Sequence, residues 1–97
     1  MAIPAFIQVY LPSYDVTKLD EKNPAVAREV ITSVLNEGNT QALEWIFHYY
    51  SLDEIRECIK KPQRGVWFAE SLNYWRQILR VDEILHYRDA ILYIYPS

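Results

Sequence analysis

The chain has 97 residues, 51% of them hydrophobic, with ten basic and thirteen acidic side chains and a formal charge of −3. That length suits one hydrophobic core in a single domain over residues 1–97, and so small a core favours covering further apolar area with a protein partner or a second copy of the chain. Two glycines argue against phosphate- or dinucleotide-cradling loops, a lone Cys58 excludes an internal disulfide, and no apolar run approaches the roughly 20 residues of a membrane span.

Residues 1–7 hold neither a basic segment nor a long apolar one, so a cytoplasmic location without export or membrane contact is expected. Pro4 suits the first turn of a short helix carrying Phe6, Val9 and Tyr10, although residues 6–11 also read as a strand; the helix is the favoured reading. Pro12, Ser13 and Asp15 then break the pattern, and a loop runs to Asn23. Asn23-Pro24 supplies a cap and a first helical residue. Val26, Ala27, Val30, Ile31, Val34 and Leu35 recur at helical spacing until Gly38.

A second helix starts at Asn39 or Thr40, with Leu43, Ile46, Phe47 and Tyr50 on one stripe. Ser51-Leu52-Asp53-Glu54 matches a capping box, and the helix it opens runs to Lys60 and Lys61 before Pro62 ends it. Beyond Gly65, two apolar rows predict a helix over residues 66–80. Phe68, Leu72, Trp75 and Leu79 form one, and Trp67, Ser71, Tyr74 and Ile78 the other. In the tail, Asp82 could cap a helix reaching Ile91, while residues 90–95 are rich in strand formers whose only apparent partner is the segment 6–11. The fold expected is all-α, a compact bundle of four to six short helices, with a minor terminal two-strand ribbon as the lesser alternative.

Candidate chemistry is sparse. His48 and His86 stand in no metal-ligand spacing, and Cys58 sits within an amphipathic helix with no base beside it, so no catalytic residue, metal or cofactor is expected. Charge is placed unevenly: Lys60, Lys61, Arg64, Arg76 and Arg80 face only Glu70 between residues 60 and 80, a local +4, leaving −7 on the rest. Such a cluster could contact phosphates, which makes a nucleic-acid-binding module the alternative function. A helix-turn-helix reading fails, because the second helix would begin Val66-Trp67-Phe68-Ala69-Glu70 and offer bases three apolar side chains and an acid. The wide apolar face of the 66–80 helix instead nominates Trp67, Tyr74 and Arg76 for a protein interface, where aromatics and Arg carry much of the energy.

Several segments together resemble a small prokaryotic family of proteins of unknown function. They are Leu11-Pro12-Ser13-Tyr14-Asp15-Val16, Lys18-Leu19-Asp20, Val30-Ile31-Thr32-Ser33-Val34-Leu35-Asn36-Glu37-Gly38, Ala42-Leu43-Glu44-Trp45-Ile46, Asp53-Glu54-Ile55-Arg56-Glu57, Pro62-Gln63-Arg64-Gly65-Val66-Trp67 and Ser71-Leu72-Asn73-Tyr74-Trp75. The resemblance covers about residues 11–80. Members of that family are often encoded beside nucleotidyltransferase-type toxins of abortive-infection systems, which implies a non-enzymatic, antitoxin-like or accessory partner. The sequence departs from the family at Gln63, where a second basic residue is expected, and this weakens a nucleic-acid role for the turn. The Tyr-rich tail past Arg80 lies outside the resemblance.

Overall fold

The computed structural model describes residues 3–92. Two short 3-10 helices, Ala5–Tyr10 and Val16–Lys18, precede five α-helices: α1 (Pro24–Glu37), α2 (Thr40–Tyr49), α3 (Leu52–Lys60), α4 (Ala69–Ile78) and α5 (Tyr87–Ala90). The fold is all-α, as expected, with no strand among the described residues beyond one isolated bridge.

Local signals place α1 to α3. The Asn23 carboxamide accepts from the Ala25 amide and Pro24 occupies the first turn, so α1 starts where its donors are satisfied. Asn39 caps α2 through the Ala42 amide, and its own N–H donates to the Tyr10 hydroxyl at 3.1 Å. At α3 both arms of the capping box form, with the Glu54 amide donating to Ser51 Oγ at 3.1 Å and the Ser51 amide to Glu54 Oε1 at 3.0 Å. Gly38 ends α1 in an extended conformation, φ −70°, and is needed for space: a Cβ there would lie 2.5 Å from the Val34 carbonyl oxygen.

Helix α1 is the hub. It packs against the first 3-10 helix, α2, α3 and α4, and buries Ala27, Val30, Ile31, Thr32, Val34 and Leu35. The core adds Ile7, Leu11 and Val16 from the N-terminal segment, Ile46 from α2, Ile55 and Ile59 from α3, and Leu72 and Leu79 from the α4 region. Gln8 stitches the N-terminal segment together: its amide donates to the carbonyls of Leu11 and Tyr14 and its Oε1 accepts from the Val16 amide.

The fourth helix is shorter than its periodicity predicts. Residues 66–68 are extended, because the Trp67 N–H donates to the Ala90 carbonyl at 2.9 Å and its own carbonyl accepts from the Leu92 N–H at 2.8 Å, forming a parallel bridge to Ile91. On the other edge Asn36 of α1 takes the place of a neighbouring strand. Its Nδ2 donates to the Val66 carbonyl and its Oδ1 accepts from the Phe68 amide, both at 2.9 Å. Gly65, at φ +69°, turns the chain into this segment. At the far end, α4 stops in a Schellman turn in which the Val81 and Arg80 amides donate to the Arg76 and Gln77 carbonyls. Arg80 adopts φ +54° there.

The N-terminal pairing is corrected. Among the described residues, 6–11 form no ribbon with the tail, since Ala5–Tyr10 is a 3-10 helix that turns Ile7 fully into the core, and Ile91 pairs with Trp67 instead. Among the described residues the tail helix spans Tyr87–Ala90, and Asp82 does not cap it; residues 93–95 of the strand alternative lie outside the described residues.

Two substitutions should move stability in opposite directions. Asn36→Ala leaves the Val66 carbonyl and Phe68 amide without their partner and should cost about 1–3 kcal/mol. Arg80→Gly relieves a left-handed non-glycine residue and should add up to about 1 kcal/mol. Urea denaturation of both variants measures each change.

Candidate functional site

The interface expected on α4 divides. Tyr74 and Ile78, four residues apart on one face, are 56% and 54% exposed. Tyr74 is braced edge-on against Trp75, with ring centroids 5.0 Å apart, and the Trp75 indole N–H donates to the Leu35 carbonyl at 2.7 Å. The Tyr74 ring is therefore presented on a fixed support. Arg76 is exposed, and one of its guanidinium nitrogens donates to the Asp82 carbonyl at 3.2 Å. Trp67 does not join them. It is fully buried, because the extended backbone at 66–68 turns it inward while its neighbours turn out. Its indole N–H has no partner among the described residues.

That alternation exposes a set of residues that helical reasoning missed. Val66, Phe68 and Leu92 are 41%, 38% and 42% exposed and line one groove against α1. The β-branched and aromatic run Val66-Trp67-Phe68 following Gly65 was the available signal.

The basic cluster does not assemble into a positive surface. Lys60 and Arg80 meet in a cleft of about 580 Å³ between α3 and residues 80–83, together with Arg56, but Asp53, Glu57, Asp82 and Glu83 line the same cleft. Carboxylates there outnumber bases. Lys61 lies 3.7 Å from Glu57, and Arg64 is exposed in the turn before Gly65. Arg56 and Arg28 spend guanidinium N–H groups on the Leu79 and Lys61 carbonyls, so part of the local basicity ties segments together.

Glu21 and Tyr50 are buried, with Tyr49 half-buried beside them, and Cys58 is buried on α3. The backbone carbonyl of Glu21 accepts from the Tyr50 hydroxyl at 3.2 Å, and Tyr49 directs its hydroxyl toward the Glu21 carboxylate at 3.5 Å. The residue's own backbone N–H holds the Glu21 carboxyl below the usual carboxylate range. Burial first, and then neighbouring negative charge, raises both tyrosines. Burial likewise pushes the Cys58 thiol up to about 11, which makes it a poor nucleophile at neutral pH. His48 and His86 are exposed, and among the described residues no three or more His, Cys, Asp or Glu side chains gather in a metal-binding arrangement.

The buried Cys58 thiol makes stability depend on alkaline pH. Folded Cys58 keeps its proton to about pH 11, whereas the unfolded thiol loses it near pH 8.5, so stability should fall as pH rises through that window. Urea midpoints between pH 8 and 11 should decline in the intact chain and less steeply in Cys58→Ala.

Residues 13–59 match the model of a family of unknown function (DUF6922). This stretch contains the second 3-10 helix, α1, α2 and nearly all of α3, with Asn36 inside it and the 66–68 segment and α4 beyond it. No curated protein and no solved structure matches the chain.

Proposed function

We propose that this chain is a non-enzymatic protein-interaction domain, an antitoxin-like or accessory partner of a nucleotidyltransferase-type toxin in the prokaryotic cytoplasm. One observation carries the reading: Tyr74 and Ile78 stand more than half exposed on the outer row of α4, with Arg76 beside them in sequence. A rigid, exposed aromatic next to an arginine is the composition of an energetic interface centre. The partner's chemistry follows from charge. Outside residues 60–80 the chain carries −7, and such a surface suits a basic, nucleotide- or RNA-handling protein, since complementary potential speeds encounter and sharpens specificity.

The nucleic-acid alternative requires the five bases between residues 60 and 80 to act together. The carboxylates folded beside Lys60 and Arg80 work against it, because phosphate-driven binding needs net positive potential.

The test is recovery of the tagged chain from its host, followed by mass spectrometry of what accompanies it. A nucleotidyltransferase-type protein should be recovered with the intact chain, and about tenfold less of it with Tyr74→Ala combined with Ile78→Ser. Recovery of the chain alone or only as a self-associated species contradicts the toxin-partner reading, and retention on RNA at low salt that disappears as salt rises would favour the alternative.

A further inference from the structure

The groove beside α1 differs from the rest of the surface in what it combines. One wall is α1 from Glu29 onward, presenting Glu29, Thr32, Ser33, Asn36 and Glu37; the other is the 63–68 segment with Leu92, presenting Val66 and Phe68. Three of the large exposed apolar side chains thus converge on a volume of about 310 Å³, within the range of sites that hold ligands. The charged residues lining it are Glu29 and Glu37, with no Lys, Arg or His among its lining residues. Its walls are held firmly. The Asn36 carboxamide and the bridge to Ile91 pin the 66–68 backbone on both edges, and Gln63 Nε2 donates to Glu29 Oε1 at 3.1 Å across the groove's two walls.

We infer that this groove is a peptide-recognition site for a segment of a partner protein whose apolar side chains are flanked by Lys or Arg. The apolar side chains seat on Val66, Phe68 and Leu92, and the flanking cations are drawn to Glu29 and Glu37. The inference deepens the protein-interaction reading by naming which part of a partner is held and where. It does not depend on the partner being a toxin. Site and occupant match by charge: Glu29 and Glu37 are the only charged residues among those that line the groove, although Arg64 stands exposed in the adjoining turn, and this lining favours a cationic segment over an acidic one. A fixed groove also spares the ordering cost on one side of the contact.

The experiment is a fluorescence-anisotropy titration of the intact chain with short fluorescein-labelled synthetic peptides. One alternates Leu or Phe with Lys or Arg, a second replaces the bases by Glu, and a third replaces the apolar residues by Ser. The first should bind saturably, and the others at least about tenfold more weakly. Phe68→Ser and Leu92→Ser should each weaken the first peptide by about tenfold in a chain that still melts in one cooperative step. Glu37→Gln changes an exposed side chain, so folding does not confound it; it should weaken binding about threefold and flatten the salt dependence. Asp53→Asn, in the separate charged cleft, should do neither. Absent binding, equal binding of the acidic peptide, equal effects of Glu37→Gln and Asp53→Asn, or a chain dimer that Phe68→Ser dissolves would each overturn the inference. Peptide binding with no nucleotidyltransferase-type protein recovered from the host would leave this site standing and remove only the toxin assignment.

Discussion

The Asn36 carboxamide is the contact on which the second half of the molecule depends. A three-residue extended segment has no stability alone, since its peptide groups need partners on both edges. Ile91 serves one edge through a parallel bridge, and Asn36 serves the other by presenting a side-chain amide with the donor and acceptor arrangement of a peptide group. Once residues 66–68 are held this way, alternation of side chains follows: Trp67 enters the core, and Val66 and Phe68 leave it.

The same end of α1 receives further contacts from α4. Ser71 Oγ donates to the Asn36 carbonyl at 3.0 Å, and the Trp75 indole to the Leu35 carbonyl at 2.7 Å. Helix C-termini leave carbonyls without intrahelical partners, and here a neighbouring helix satisfies them with side chains. The polar contacts therefore fix the position of α4 relative to α1, while apolar burial around Val30, Val34 and Leu72 supplies the bulk driving force. The Trp75 that makes one of these contacts also supports Tyr74, so the exposed row on α4 inherits its rigidity from the core.

Legibility in the sequence followed the range of the determining interaction. Asn23, Asn39 and Ser51 cap their helices through amides two or three residues away, and local pattern is enough to find them. Gly38 marked the end of α1 correctly, but its necessity comes from the close Val34 carbonyl rather than from a left-handed turn. The extended segment was hidden because Trp67 and Phe68 stand at helical spacing from Ser71 and Leu72, and the partners that overrule the pattern are about 30 residues upstream and 24 downstream. The same limitation misplaced Trp67 at an interface. A linear charge count likewise found a basic stretch but not the carboxylates of Asp53, Glu57, Asp82 and Glu83 that folding brings beside it. What survives as candidate surface is Tyr74, Ile78 and Arg76 on α4, joined by the Val66, Phe68 and Leu92 groove.

Native-state amide hydrogen exchange tests the clasp most directly. If Asn36 and Ile91 hold the segment, the amides of Trp67, Phe68 and Leu92 exchange as slowly as those in the middle of α1, because all open in one cooperative unit. Rapid exchange at Phe68 and Leu92 while α1 stays protected would show the segment opening by itself, and would contradict the account.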